Sequence, residues 1–300
     1  MKFADIAAVY LATPPEPLPS PSLPQSPARR LRDALEPIAT QGWWAKAVHD
    51  RLEPLGLSFL ESYVWGRAAA LGEPPAGVVV ATFGVFEPTF LSAVYEQGRT
   101  SIGRHAVLAA REAGAIESLT NIVADTDDIG AAGDALLDAT RHIDATARPL
   151  FSGLRDLAVP AAALGRLWRG AELVREHRGD GHLAVCIGEG LDPLEMSLLT
   201  ELWLDYSVGE YSSSRGYGPE AISAAMARLA TRGWVDGSVL SAAGRTMRAQ
   251  IEDATDRSQQ ALVDALGARL DAVIATAERV SNAITAAGAF PPDPRKRAAG

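Results

Sequence analysis

The run His177-Arg178-Gly179-Asp180-Gly181-His182 places two of the five histidines, a guanidinium and a carboxylate within six residues. Three chemistries fit such a set. An aspartate beside a histidine can fix its tautomer and pKa for general acid/base work. Two histidines and an aspartate also offer metal ligands. A five-residue separation, however, is not the three or four that puts both rings on one helix face, and no third ligand is at hand, so neither a metal nor a cofactor is expected. The remaining reading is a structural corner whose charged groups satisfy backbone. Glycines on both sides of Asp180 permit positive φ, so the spacing predicts a helix ending at His177, a tight turn, and a new helix from about Asp180, with Arg178 directed into a cleft. No nucleophile or cofactor loop adjoins the run, and whether the chain is an enzyme stays open.

A second concentration is aromatic: Trp43, Trp44, Phe59, Tyr63, Trp65, Phe83, Phe86, Phe90 and Tyr95 hold much of the chain's ring content. Rings at helical spacing usually form core. They can also line a pocket for a flat apolar ligand, with Arg67 and Glu87 as its orienting polar groups. The candidate ligand-binding set is therefore Tyr63, Arg67, Phe83, Phe86, His177, Arg178, Asp180 and His182.

The elements that must position these groups are helical. Three hundred residues, 47% hydrophobic and 22% charged, are enough for two domains with proper cores. No apolar run reaches the roughly twenty residues of a bilayer span, so no membrane is expected as a partner. The single cysteine, Cys186, rules out an intrachain disulfide and multi-cysteine zinc modules, and a reducing, cytoplasmic location fits. Residues 1–27 read as an arm: a short helix or loose start, then a proline-dense extended linker from Thr13 to Pro27, which could also serve a partner as a polyproline ligand. A helical region follows over 28–160. Leu31, Leu35 and Ile38 share one helix face, Val48 and Leu52 another, and a third helix runs from Leu57 to Ala70 until Gly72 closes it. Pro88 starts a helix through Tyr95, a helix from Gly130 to Arg148 stops at Pro149, and Pro160 opens a core helix ending near His177.

The region 161–290 reads as a winged helix. Asp192-Pro193 caps an amphipathic helix carrying Leu194, Leu198, Leu199 and Leu202. A polar loop leads to Pro219 and a second helix through Arg232, with Ile222, Met226 and Leu229 buried. Gly233 ends it, and Trp234 to Leu240 around Asp236-Gly237 predicts a hairpin wing. Ser241 caps a long C-terminal helix on which Leu262, Leu266, Leu270, Val273, Ala277, Val280 and Ile284 form a seam for another helix, within one chain or across a homodimer. The expected fold class is thus mainly α: a helical N-terminal half plus a C-terminal winged helix with a small β-hairpin wing and a long C-terminal helix. Residues 291–300 read as a basic tail, with Arg295-Lys296-Arg297 a solvated end.

With GRAAALG (66–72), ATFGVFEP (81–88), LVREHRGDGHLA (173–184) and ARLATRGWVDGSVLSAAGRTMRAQIEDATD (227–256), the chain resembles MarR-like winged-helix proteins, and more closely an actinobacterial group of them with an N-terminal helical half. It departs from that group before the second helix, where RGYGPEAI replaces an acidic, tryptophan-containing segment, and in its proline-rich arm. The resemblance implies a winged helix that binds double-stranded DNA and answers to a small molecule.

The charge pattern pulls the other way. A formal charge of −9 repels polyanions. The outward face of the second helix, Glu220, Ser223, Ala224, Ala227 and Thr231, lacks the Arg, Lys, Asn or Gln of base readout, and the wing tip is acidic. Arg215, Arg228 and Arg232, with Arg245, remain as candidate phosphate contacts. Two functions follow: a ligand-responsive transcriptional regulator with weak DNA-reading features, or a winged-helix scaffold repurposed to sequester or convert a small molecule at the His177–His182 turn.

Overall fold

The computed structural model describes residues 1–14, 16, 18, 20, 21, 23 and 25–299. The extended-linker and polyproline expectations fall on the segment that contains 15, 17, 19, 22 and 24, outside the described residues. Proline and glycine punctuate the chain into short helices. The first half carries α1 (Phe3–Tyr10), α2 (Pro27–Ala39), α3 (Gln41–Trp44), α4 (Lys46–Leu52), α5 (Phe59–Ala68), α6 (Ala76–Phe83), α7 (Pro88–Ser101) and α8 (Arg104–Ile122). The centre holds α9 (Asp127–Arg141), α10 (Pro149–Arg155) and α11 (Ala163–Gly188). Then come α12 (Pro193–Trp203), α13 (Pro219–Thr231), strands β1 (Val235–Asp236) and β2 (Val239–Leu240), α14 (Ala242–Arg257), α15 (Gln260–Leu266), α16 (Leu270–Ala286) and α17 (Pro294–Ala299). The mainly α class with a small wing is what the residues predict. Among the described residues, no helix is long and apolar enough to cross a membrane.

The winged helix forms by local rules. Asp192 caps α12, its side chain accepting from Glu195 N–H at 2.8 Å, and the Glu195 carboxylate closes the capping box. Gly233 ends α13 at φ +74°, and Gly237 turns the hairpin at φ +59° with Val235 opposite Leu240 and Asp236 opposite Val239. Ser241 caps α14. At Gly244 even a methyl would collide with the Trp234 carbonyl, so the wing base and α14 touch backbone to backbone.

Three boundaries differ from expectation. α9 ends at Arg141, because Pro149 opens α10 rather than closing α9. α11 begins at Ala163, three residues beyond Pro160. The larger difference is that α11 continues unbroken through His177-Arg178-Gly179-Asp180-Gly181-His182 to Gly188. There is no turn at this run. Gly179 and Gly181 are helical, and Gly181 lacks a side chain because Arg148 Nη1 and Ser258 Oγ occupy the space a Cβ would need. Glycine serves close approach at this position, not positive φ.

α11 is the axis of the molecule. It crosses α9 at close range, with Gly133 against the Leu167 backbone and Gly170 against the Leu136 Cβ. It also packs on α2, α8, α10 and α14. The helical C-terminal stretch runs from α14 to α16 with breaks at 258–259 and 267–269. Its seam is filled inside the chain: Leu262, Leu266, Val273, Ala277, Val280 and Ile284 are buried in one core with Leu31, Leu35, Ile38, Ile129 and Leu136. The homodimer form of the seam expectation therefore finds no open surface there.

Candidate functional site

Four parts of the chain enclose one cavity of about 140 Å³. α5 and the residues after α6 supply Tyr63, Arg67 and Phe86; α11 supplies Arg175, Glu176, Arg178, Asp180 and His182. The winged helix adds Met196, Ser197 and Thr200 of α12, Tyr211 and Arg215 of the following loop, and Arg248 and Glu252 of α14. Ala298 and Ala299 of α17 close one side. Six of the eight sequence-predicted ligand residues thus share one wall. Phe83 stands behind it, its ring 4.6 Å from the Arg67 guanidinium and packed against Tyr63 and Phe86. His177 does not reach the cavity, since five residues along a helix turn it to another side; there it meets Gln259 Oε1 at 2.7 Å and the Phe151 ring.

Most of the wall's charge is paired. Arg67 grips Glu176 with two N–H groups, at 3.1 and 2.8 Å, and donates to the Tyr63 hydroxyl at 2.8 Å. Arg175 joins Glu176 to Glu36. Glu252 receives Arg29 at 2.9 Å, Arg178 at 2.8 Å and Arg248. Burial would push the Glu252 carboxyl up, yet Arg248, Arg178 and Arg29 hold it well below the carboxylate range.

The histidine–aspartate chemistry does not assemble. Asp180 Oδ2 accepts the Phe151 N–H at 3.0 Å, and no histidine pairs with it. Burial, with Glu176 nearby, lifts the Asp180 carboxyl to about 7. Burial drops His177 to about 4 and His182 to about 3, so both rings are neutral at pH 7. Thr255 Oγ1 already donates to the Ile251 carbonyl, so it accepts from His182 Nδ1 at 3.0 Å, and His182 Nε2 is left to face Cys186 Sγ at 3.6 Å. Cys186 is buried and its thiol is pushed up to about 12, which makes it an inert S–H donor. Among the described residues no group of three or more His, Cys, Asp or Glu could hold a metal ion.

The outer face of α13 leaves Glu220, Ser223, Ala224, Ala227 and Thr231 exposed, as the pattern predicts. Its arginines are exposed but partnered. Arg228 bonds Glu195 at 2.9 Å and Asp192; Arg232 donates to the carbonyls of Gly190 and Glu189 and lies over the Trp234 ring. Arg245 donates to the Leu240 carbonyl. Arg215 is not on this face: it lines the cavity, stacked on Tyr211 at 3.4 Å from the ring centre.

Helix, loop, helix and hairpin in this order are the helix-turn-helix arrangement, and a family model described as a helix-turn-helix family matches residues 28–291. The chain belongs to that helix-turn-helix family. No curated protein and no solved structure matches the chain. The match spans the N-terminal helices as well as the winged helix, so it covers the cavity-lining residues other than Ala298 and Ala299.

Sequence reasoning missed Arg175, Glu176, Ser197, Tyr211, Arg248 and Glu252 as cavity residues. A signal was present on α14: Arg248, Glu252 and Thr255 fall on the same stripe as the core residue Ile251, which puts charge where apolar side chains belong.

Proposed function

We propose that this helix-turn-helix protein is a small-molecule-binding winged-helix protein of MarR-like type, in which the cavity beside α11 takes the ligand and the winged helix carries a DNA-facing output. One observation carries the reading. The cavity wall includes Tyr211 and Arg215 of the α12–α13 loop, so an occupant touches the segment that leads into the candidate recognition helix. A ligand that favours one placement of that loop shifts the population of α13 positions, which is what a sensing regulator needs. The ligand set is Tyr63, Arg67, Phe86, Arg178, Asp180 and His182, with Phe83 in support. Output to DNA would rest on phosphate contacts by Arg228, Arg232 and Arg245, released from their present partners. The filled C-terminal seam favours a monomer acting alone.

The test is binding to a fluorescent mixed-sequence duplex across a salt series. The regulator reading expects binding at low salt that falls steeply as salt rises. Failure to bind at the lowest salt would remove the DNA output. A second reading, a winged-helix scaffold kept for sequestering or converting its ligand, is favoured by the fact that Arg228 and Arg232 are committed to α12 and to Glu189–Gly190, and that residues 189–257 carry eleven carboxylates against six arginines.

A further inference from the structure

Arg215 differs from every other arginine on the cavity wall. Arg67, Arg175, Arg178 and Arg248 each hold a carboxylate, whereas no carboxylate lies within ion-pair distance of Arg215 among the described residues. Its guanidinium is held through its faces and one end, 3.4 Å from the Tyr211 ring centre, 5.4 Å from that of Phe86, and bonded to the Tyr211 hydroxyl. The Nε–H is buried with no partner. Two further donors on the same wall are unsatisfied: Arg178 Nε, on a residue 6% exposed, and the Ser197 hydroxyl, on a residue 2% exposed. Leaving one buried donor without an acceptor costs about 1–3 kcal/mol, and all three donors belong to residues that line this cavity.

The charge around the space has a sign. Five arginines face three acidic side chains there, and Lys296 of α17 lies 5.5 Å from the centre of the Tyr211 ring. We infer that the cavity is an anion site, in which Arg215, Arg178 Nε and Ser197 Oγ receive the oxyanion of a compact carboxylate or phosphate monoester. This rests on the reading of the cavity as the ligand site and assigns its chemistry. The volume of about 140 Å³ is close to that of a cavity that holds one benzene, so the occupant has roughly six to ten non-hydrogen atoms. A nucleotide does not fit. Arg215 is then a ligand anchor and not a DNA phosphate contact.

The experiment is isothermal titration of the full chain with two anions of seven to nine non-hydrogen atoms, malonate and phosphoglycolate, and with the smaller neutral diol 1,3-propanediol as control. Binding of either anion but not of the diol, weakened about tenfold or more by Arg215→Gln and less by Ser197→Ala, is the expected result. The preferred anion tells carboxylate from phosphate. Arg215→Gln removes no ion pair, only the contacts to the Tyr211 and Phe86 rings and to the Tyr211 hydroxyl, so it should still unfold cooperatively with at most a small drop in thermal midpoint. Anion binding that Arg215→Gln leaves intact, or preference for the diol, overturns the anion assignment while the ligand-site reading stands. No heat from any probe up to millimolar concentration overturns the anion assignment as well.

Discussion

Asp180 is the residue whose environment and charge are most at odds. Its carboxyl, about 4% exposed, is lifted to about 7, while an unfolded aspartate titrates near 3.8. The folded state therefore holds a proton that the unfolded state has lost. This contribution is complete below the unfolded value and disappears as pH rises through 7. His177 and His182 act in the opposite sense: their folded values of about 4 and 3 lie below the ordinary 6.5, so their stabilisation is present above that value and lost as pH falls. Between pH 4 and 6.5 the two effects oppose each other. Asp180→Asn should keep the acceptor for the Phe151 N–H and gain stability at pH 8, on the order of 4 kcal/mol at most. The same variant should show a steeper loss on acidification than wild type. Urea unfolding of both proteins at pH 5 and pH 8 checks this, and an unchanged difference between the two pH values would mean that Asp180 is already ionised in the fold.

At the scale of elements, α11 is tied to its neighbours by buried ion pairs as well as by apolar packing. Arg111–Glu172 links it to α8, Arg67–Glu176 to α5, Arg175–Glu36 to α2 and Arg178–Glu252 to α14. Buried pairs add little net stability when formed, but removing one partner strands the other charge. Glu252 is the extreme case, since Arg29, Arg178 and Arg248 all converge on it. Glu252→Gln is expected to cost about 3–5 kcal/mol, read from the urea midpoint, whereas Asp50→Asn at the surface, where Asp50 pairs with Lys46, costs about 0–1 kcal/mol. The helices themselves were legible. Caps at Asp192 and Ser241, the Asp236-Gly237 hairpin and the stripe Ile222–Leu229 are local signals that tertiary packing did not override. The charged residues of α11 were not, because Arg and Glu at spacings of three and four read as a solvated face when no neighbour is known.

For the whole molecule, the C-terminal seam that suits a partner helix meets α2 and α9 of its own chain. Sedimentation should therefore give a species near the chain mass of 31.6 kDa across micromolar concentrations, and a concentration-dependent dimer would require a surface other than this seam. α17 adds a second whole-molecule feature: Arg29 and Arg32, both buried on α2, donate to the carbonyls of Ala298 and Arg297, which seats the tail beside the cavity. The basic tail thus packs where a solvated end was expected. Deleting residues 294–300 should open the cavity and speed exchange of any occupant, measurable as a faster dissociation rate for the anion probes.

The amino-acid sequence alone determined the elements of the winged helix, the mainly α class and the residue types around a site, because caps, turns and hydrophobic period act within a few residues of each other. Only the tertiary structure decided that His177-Arg178-Gly179-Asp180-Gly181-His182 is one stretch of helix. The glycine at 181 makes room for Arg148 and Ser258, side chains 33 and 77 residues away, and no local pattern distinguishes a glycine needed for φ from one needed for space. In the same way, the structure alone decided that Arg215 faces a cavity while Arg228 and Arg232 are committed to α12 and its approach, because charge pairing between distant segments is a property of the packed chain.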